Sequence, residues 1–533
     1  MFPIRIFSLV LGLSLVACAR AEVALAPLFT DGAVMQRDRP LPIWGTADPG
    51  EKITVAFQGR THAATAASDG RWIALLDALP ATTVGADLVV TGKNTVTLRD
   101  VVVGEVWLCA GQSNMEFTLE ARPGTWQAKT RVQSAAAEIA GADFPLIRHV
   151  RIEPTIASAP ADTVKTSGWQ AASPANVGGF TAVGYFFARD LFQKTGVPVG
   201  LVHASWGGTP VEAWLSPAAL ASAPEFAAVG ERWTRDRADF PAKQAKFATD
   251  LAAWTAAEAA AKAARPATRA TTTKAAANAH AAFLQANPRP RSPRGFPSDP
   301  WQPAGLFNGM INPLLPYALR GMLWYQGESN ADRAADYHAL FSTLITTWRA
   351  HLGQDETPFY WVNLANFKAP ADSTGRTYAF LREAQTRTLA LPRTGQALAI
   401  DLGDPDDIHP ANKQDVGRRL AVLAKSRVYG LTGADTGPTF AAATREGAAL
   451  RVTFDHIGDG LIAYQKPVQS LELAGADRIF YPATAQIIRN TLLVVSPAVK
   501  EPVAVRYAWT NAPFANLYNG SGLPAVPFRS DNW

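Results

Sequence analysis

The chain has 533 residues, of which 48% are hydrophobic and 18% charged, a composition typical of a well-packed globular protein of roughly two to four domains. The formal net charge is only +5 and no dense run of Lys and Arg occurs, so we expect no nucleic-acid partner.

The first 21 residues have the pattern of a secretory signal. One Arg precedes the apolar stretch 6–17, and the small residues after it suit cleavage after Ala21. This stretch is too short to span a membrane, and no other apolar segment is long enough. The letters LVAC, ending at Cys18, are similar to a bacterial lipoprotein box, which would make Cys18 a lipid anchor. We therefore expect export to a bacterial-type periplasm, the cell surface or the medium.

Cysteine and histidine usage gives no sign of a metal site or a disulfide framework. Cys18 and Cys109 are the two cysteines, and Cys18 lies in the expected signal. Cys109 is interpreted as a small core residue of a buried strand. The eight His residues form no Cys/His pairs at ligand spacing, so we expect neither a metal nor another cofactor.

Residues 22–103 predict an N-terminal β-sandwich. The segment LPIWGTADPGEKITVAFQG contains two short strands around an Asp-Pro-Gly turn, and DLVVTGKNTVTLRDVVV contains another pair around Gly-Lys-Asn.

Residues 104–435 change to strands alternating with helices. The predicted strands are VWLCA, VPVGLVHAS, GMLWYQ, PFYWVNLA and ALAIDLG, and the predicted helices are AVGYFFARDLFQKTG, DYHALFSTLITTWRAHLG and NKQDVGRRLAVLAKSRVYG. Continuous apolar strands of this kind indicate an α/β fold with a parallel sheet covered on both faces.

Two further segments complete the predicted organisation. Residues of about 216–303 interrupt the alternation with an Ala-rich stretch that favours helix and a Pro-rich return, so we expect a helical insertion. It forms either one wall of a cleft or a surface excursion. Residues 436–533 return to short strands and predict a C-terminal β domain.

Polar residues follow four of the predicted parallel strands. Ser113 comes after the first strand, the pair Gly207–Gly208 after the second, Gln326 and Asn330 after the third, and His409 after the fifth. Because ligands of open parallel sheets bind outside the carboxyl ends of the strands, we expect these residues to converge.

This combination points to acyl transfer. A serine hydroxyl becomes nucleophilic when a base takes its proton, and a histidine of pKa ~6.5 suits that task. Glycine N–H groups and amide side chains can stabilise the oxyanion of the tetrahedral intermediate, and an Asp just before the histidine can fix its tautomer. The turn is not the Gly-x-Ser-x-Gly elbow of α/β-hydrolases, because Met115 stands where the second glycine belongs.

The chain resembles the sialate O-acetylesterase group of SGNH hydrolases, which are carbohydrate esterases. The matching stretches span most of the chain: APLFTDGAVMQRDRPLPIWGTADPGE, GEVWLCAGQSNME, ASWGGTPVEAW, LWYQGESNA, DIHPANK and VRYAWTNAPFANLYNGSGLPAVPFR. The resemblance implies a flavodoxin-like three-layer α/β/α esterase domain flanked by β domains. It implies Ser113 as the nucleophile, His409 as the base, and acetate release without a metal.

The sequence departs from the SGNH pattern in two places. The Gly-x-Asn-Asp block reads Gly-Glu-Ser-Asn here, so the side-chain oxyanion donor is either Asn330 or Gln326; among the backbone donors we favour Gly208 over its neighbour. The Asp-x-x-His pattern selects Asp406 as the acid, although Asp407 is adjacent and a Ser–His dyad is the other alternative.

Residues beside these motifs are candidates for substrate binding. We expect Gln112, Trp206 and Glu328 to contact the sugar. Glu328 with Glu212 could instead be a glycosidase pair, but structural acids are the better interpretation. Three further aromatic residues beside the motifs are either a sugar platform or core, namely Trp214, Trp324 and Tyr325.

The sequence therefore predicts an exported, monomeric carbohydrate O-acetylesterase. The expected substrate is an acetylated plant polysaccharide or oligosaccharide, such as xyloglucan or xylan, or an O-acetylated sialic acid. The alternatives are a non-catalytic carbohydrate-binding protein and a serine esterase for non-sugar acyl esters.

Overall fold

A computed structural model describes residues 22–121, 124–125, 127, 130–263, 280, 282–284, 286–464 and 467–533. The expected signal with Cys18 and part of the expected insertion, 264–279, lie outside the described residues. None of the helices in the described ranges combines the length and apolar character that a membrane crossing requires.

The N-terminal part of the described chain is built from strands. β4 pairs antiparallel with β5 and β7, β7 pairs antiparallel with β8, and a separate three-stranded sheet has the order β1-β3-β6. The bounds are Ala24–Leu25 (β1), Val34–Gln36 (β2), Leu41–Thr46 (β3), Lys52–Phe57 (β4), Arg60–Thr65 (β5), Arg71–Leu76 (β6), Thr82–Thr91 (β7) and Thr95–Gly111 (β8).

The long strand β8 connects the N-terminal sheet with the parallel sheet. Its first part pairs antiparallel with β7, and residues 105–111 pair in parallel with Val199–Ser205. The boundary expected at 103/104 therefore falls inside one continuous strand. The N-terminal strands and the parallel sheet also share one hydrophobic core, which extends from Val23 to Ala424.

The parallel sheet has six strands in the order β9-β11-β8-β12-β13-β14, with β10 added antiparallel at the β9 edge. The sequence patterns predict five of the six parallel strands, and β14 begins three residues before the predicted segment. The bounds are Phe144–Arg151 (β9), Gln170–Ala172 (β10), Val199–Ser205 (β11), Gly321–Tyr325 (β12), Phe359–Asn363 (β13) and Thr394–Leu398 (β14).

Helical side chains lie beside two successive residues of β8. Trp107 packs edge-to-face on Phe187 of α3, at 4.9 Å between ring centroids, while its neighbour Leu108 lines a cavity with Trp348 of α6. Successive side chains of a strand point to opposite faces. The helix bounds are Ser113–Glu116 (α1), Ala135–Ala140 (α2), Ala182–Thr195 (α3), Pro217–Leu220 (α4), Ala227–Ala263 (α5), Ala334–Leu352 (α6), Thr377–Arg387 (α7) and Lys413–Arg427 (α8).

The C-terminal residues form a seven-stranded sheet of order β15-β16-β20-β19-β18-β21-β23 and a two-stranded sheet of β17 and β22. Their side chains build a second hydrophobic core, which Ile400 joins from the region after β14. The chain is thus a mixed α/β protein with several sheets. The bounds are Thr439–Glu446 (β15), Ala449–Asp455 (β16), Leu461–Ala463 (β17), Leu471–Ala474 (β18), Phe480–Ile488 (β19), Thr491–Val495 (β20), Ala504–Tyr507 (β21), Leu517–Asn519 (β22) and Phe528–Arg529 (β23).

Candidate active site

Ser113 lies at the carboxyl end of β8, where the strand turns into the short helix α1. Gly111, with φ of +130°, makes this turn, and a Cβ at this position would lie 2.3 Å from the Tyr325 carbonyl oxygen. The Gln112 N–H donates to the same carbonyl at 2.9 Å. As the first residue of α1, Ser113 has a backbone N–H without an intrahelical acceptor. The turn thus presents both its hydroxyl and its N–H at the end of the central strand.

His409 lies in the loop between β14 and α8, and its Nε2 is 3.0 Å from Ser113 Oγ. The histidine ring is largely buried, with 18% of the side chain exposed, and its centroid is 5.9 Å from that of Phe117. Burial, reinforced by the nearby Lys413 ammonium and opposed by Asp407, lowers the pKa of His409 to about 4. The imidazole is therefore neutral at physiological pH and able to accept the serine proton.

The carboxylate beside His409 belongs to Asp407, which corrects the expectation that Asp406 is the acid partner. Asp407 Oδ1 is 3.4 Å from His409 Nδ1 and accepts the His409 backbone N–H at 2.9 Å. Asp406 points away: its carboxylate binds Lys368 at 2.7 Å, with 76% of its side chain exposed. The loop backbone explains the difference, because Asp404 accepts the Asp406 N–H and the turn brings Asp407 to the histidine.

The two glycines after β11 have different surroundings. The Gly207 N–H donates to Glu116 Oε2 at 2.6 Å, so it is committed to that carboxylate, whose other oxygen lies 3.4 Å from Arg151. A Cβ on Gly207 would be 3.2 Å from Ser113 Cβ, which places this loop against Ser113. Gly208 has a φ of +73°, and its carbonyl accepts Trp301 Nε1–H at 2.7 Å.

The amide group of Gln326 is buried and its hydrogens already have acceptors. This corrects the expectation that Gln326 could be the oxyanion donor. Its Nε2 donates to the Thr209 carbonyl at 3.2 Å and to Asn330 Oδ1 at 2.7 Å, while its Oε1 accepts Tyr337 O–H at 2.8 Å. An amide nitrogen has two hydrogens, and both are used here.

Asn330 keeps one amide hydrogen for another acceptor. Its Oδ1 accepts the Val211 N–H at 2.9 Å and the Gln326 amide, and its Nδ2 donates to Glu212 Oε2 at 2.8 Å. These contacts hold Asn330 against the loop 206–211 that follows β11, which contains both glycines and is called the glycine loop below. The Glu212 carboxylate also binds Arg232 at 2.9 Å, so this acid is a structural contact of the loop.

The expected sugar contacts differ in their accessibility. Trp206 is partly exposed beside Gly207. Gln112 is nearly buried, and its Oε1 lies 3.4 Å from the N–H groups of Gly327 and Ser329. Three other aromatic residues beside the motifs are completely buried and belong to the core, namely Trp214, Trp324 and Tyr325.

The carboxylate of Glu328 is buried, which corrects its expected role as a sugar ligand. Its Oε1 accepts Asn114 Nδ2–H at 2.7 Å, and its Oε2 is buried without a hydrogen-bond partner. Burial raises the pKa of Glu328 above its ordinary value. With Oε1 bound to Asn114 and Oε2 buried, neither oxygen is placed to meet a substrate.

Three residues of the site were not identified from the sequence, although each stands near a recognised motif. Asn114 follows Ser113, Lys413 ends the DIHPANK stretch, and Trp301 lies near the end of the segment expected to be an insertion. The Arg294 guanidinium lies 4.2 Å from the Trp301 ring centroid. Within the described residues, no group of three His, Cys, Asp or Glu side chains is arranged to hold a metal ion.

Comparison with known proteins assigns the chain to a family. Residues 299–425 match the family described as carbohydrate esterase, sialic acid-specific acetylesterase. The sialate O-acetylesterases of Rattus norvegicus and Homo sapiens are 28% and 27% identical to this chain, over 92% and 99% of its length and 90% and 96% of theirs.

A crystal structure extends this similarity to the fold. A carbohydrate acetylesterase from Xanthomonas citri is 37% identical, superimposes with a TM-score of 0.77, and matches over 96% of this chain and 100% of its own. The chain therefore belongs to the sialate O-acetylesterase-like carbohydrate esterases and is a carboxylic ester hydrolase.

Proposed function

We propose that the protein is an exported carbohydrate O-acetylesterase that works through a serine nucleophile. The observation that carries the proposal is the 3.0 Å contact between His409 Nε2 and Ser113 Oγ at the carboxyl end of the parallel sheet. A neutral imidazole at hydrogen-bond distance from a hydroxyl is the arrangement that general-base activation requires.

The reaction proceeds in two acyl-transfer steps. Ser113 Oγ attacks the acetyl carbonyl carbon while its proton moves to His409 Nε2. The tetrahedral intermediate collapses as the C–O bond to the sugar breaks, and His409 returns the proton to the departing sugar oxygen. Water, deprotonated by the same imidazole, then attacks the acetyl-serine ester. Acetate leaves, and the proton returns to Ser113.

We propose that three hydrogen-bond donors stabilise the oxyanion of the tetrahedral intermediate. They are the backbone N–H groups of Ser113 and Gly208 and the second amide hydrogen of Asn330. The Gly207 N–H and both amide hydrogens of Gln326 already have acceptors, which supports this choice. Losing one such donor costs about 2.7–4 kcal/mol of transition-state stabilisation.

We assign Asp407 the role of orienting the imidazole. Its carboxylate faces Nδ1, so the Nδ1–H tautomer leaves the Nε2 lone pair toward the serine. The contact of 3.4 Å is long for a hydrogen bond, and the Asp407 side chain is 33% exposed. We therefore expect a weaker triad than the buried one of serine proteases.

The proposed substrate is an uncharged O-acetylated saccharide, as in xyloglucan or xylan. A carboxylated sugar such as sialic acid would call for an open guanidinium. Near the glycine loop, Arg151 lies against Glu116, and Arg232 and Arg333 lie against Glu212, so these cations already face carboxylates. Trp206 and Trp301 are partly exposed aromatic residues on which a sugar ring can stack.

We propose the three-layer SGNH arrangement for residues 104–435, flanked by the β domains 22–103 and 436–533. Export follows from residues 1–21, with cleavage after Ala21 or lipid attachment at Cys18.

An active-site label and a substrate panel test this function. An organophosphorus ester should add one adduct per chain, mapped to Ser113 by peptide mass spectrometry, and abolish acetate release. Acetate released from acetylated hemicellulose oligosaccharides should exceed that from O-acetylated sialic acids. Labelling of another residue with loss of activity would contradict the mechanism, and the opposite preference would contradict the substrate class.

A further inference from the structure

One buried amide connects the nucleophile turn with the histidine loop. Asn114, the residue after the nucleophile, donates from Nδ2 to Glu328 Oε1 at 2.7 Å and to the Ile408 carbonyl at 3.1 Å. Its Oδ1 accepts a hydrogen bond from Lys413 Nζ at 2.5 Å. Asn114 follows Ser113 and Ile408 precedes His409. The amide therefore links the backbone next to the serine with the backbone next to the histidine.

The Lys413 side chain in this network is completely buried. Its ammonium lies 5.1 Å from the Phe117 ring centroid and 5.7 Å from that of Tyr325, within reach of their electron-rich faces. Phe117 also contacts the His409 ring, so the lysine and the histidine meet the same aromatic side chain. A buried ammonium is costly unless it is compensated, which makes a lysine here a poor choice for packing alone.

We infer that Lys413 is a positioning residue for His409: held by Asn114 against the shared Phe117 ring, its ammonium places a positive charge near the imidazole that accepts the serine proton. This inference rests on the proposed serine mechanism and adds a residue to it. Lys413 acts through His409 and does not touch the substrate.

The charges around the pair determine the direction of the effect. Burial lowers the pKa of His409 most, the positive charge of Lys413 also lowers it, and Asp407 raises it. Burial lowers the pKa of Lys413 to about 7, with Glu328 and Asp407 opposing. Below that pH the lysine is charged, so its repulsion of an imidazolium operates throughout the acidic range where His409 titrates.

Replacing Lys413 by a neutral residue tests this inference. In purified Lys413→Met, the acid limb of kcat/KM against pH should move upward by about half a pH unit or more, because a like charge that opposes protonation is gone. The KM at pH 8 should change little. Lys413→Arg, which keeps the charge, should retain the wild-type limb, and Lys413→Gln repeats the test if the Met variant does not fold.

Lys368→Met is the matched control, because that lysine binds Asp406 of the same loop with 58% of its side chain exposed. Its acid limb should stay at the wild-type pH. A folded Lys413→Met with an unmoved limb overturns the inference. The inference is also overturned if Lys413→Met and Lys413→Gln unfold while Lys413→Arg folds, because Lys413 would then contribute to stability alone. Full activity of Ser113→Ala would instead defeat the serine mechanism itself.

Discussion

One carboxylate oxygen of Asp407, Oδ1, makes two contacts with His409. It lies 3.4 Å from the ring atom Nδ1 and accepts the His409 backbone N–H at 2.9 Å. The carboxylate thus binds the backbone of the histidine and faces its ring. The neighbouring Asp406 turns outward to Lys368. Two adjacent acids of the same loop therefore have different surroundings, and their variants should differ.

Asp407→Asn should lower kcat by about 10²–10⁴-fold, because an amide at this place no longer favours the productive tautomer; the upper figure is the loss in a serine protease triad. Asp406→Asn should stay within about twofold of wild type, since it alters only an exposed ion pair. Steady-state kinetics with thermal melts on both variants decide the matter. Loss of activity in Asp406→Asn with an active Asp407→Asn would reverse the assignment. If both variants are active, the enzyme works with a Ser113–His409 dyad.

The pH profile should have an unusually acidic lower limb. In the proposed mechanism the neutral imidazole is the active form, and burial lowers the pKa of His409 to about 4, whereas an ordinary histidine has a pKa of ~6.5. Activity should therefore be retained well below pH 6 and decline as the pH falls through that pKa. Measured kcat/KM reports groups of the free enzyme. A limb centred between pH 6 and 7 would show that the site does not shift the histidine.

The hydrogen bond from Trp301 to the Gly208 carbonyl should contribute to catalysis. Trp301→Phe keeps an aromatic ring beside Arg294 but removes the Nε1–H, and a neutral hydrogen bond contributes about 0.5–1.5 kcal/mol. We expect kcat/KM to fall by roughly two- to tenfold. Trp254→Phe is the control, because Trp254 donates a similar bond to the Asn287 carbonyl at 2.8 Å, within the insertion. Equal effects of both substitutions would argue against a role at Gly208.

The crossing of α3 and α8 should tolerate no side chain at Gly417. A Cβ there would lie 2.7 Å from Phe186 Cβ and 2.8 Å from the Val183 carbonyl oxygen. Gly417→Ala should lower the free energy of unfolding by about 1–3 kcal/mol through overpacking. Gly230→Ala, in α5 with open space around it, should instead raise it by about 0.5–1 kcal/mol. Urea unfolding of both variants measures the difference, and a neutral Gly417→Ala would contradict the tight crossing.

The sequence predicted the parts of the fold in which apolar letters form uninterrupted runs. The family prediction is confirmed by the comparisons, and the predicted helices match α3, α6 and α8 within a few residues. β9 was missed because FPLIRHVR contains polar letters. Arg148 and His149 are buried there by bonds that a periodicity cannot show, Arg148 to the Gly32 carbonyl and His149 to His203.

The direction of side chains in the loops of the site is harder to predict from the sequence than the strands and helices are. Spacing alone favoured Asp406, but the turn that begins at Asp404 brings Asp407 to the ring. Lys413 was overlooked as a functional residue because lysine is almost never fully buried without a partner, and its partner Asn114 lies 299 residues away in the chain. Contacts between distant loops depend on the assembled sheet, which local patterns do not specify.

The most direct test of the serine mechanism is acetate release by Ser113→Ala. Purified wild type and variant are compared on an acetylated xylo-oligosaccharide at pH 7, with thermal melts to establish that both are folded. We expect the variant to retain less than about one hundredth of the wild-type kcat, since loss of a nucleophile in such sites costs far more than that. A folded Ser113→Ala that releases acetate at a tenth of the wild-type rate or faster would contradict it.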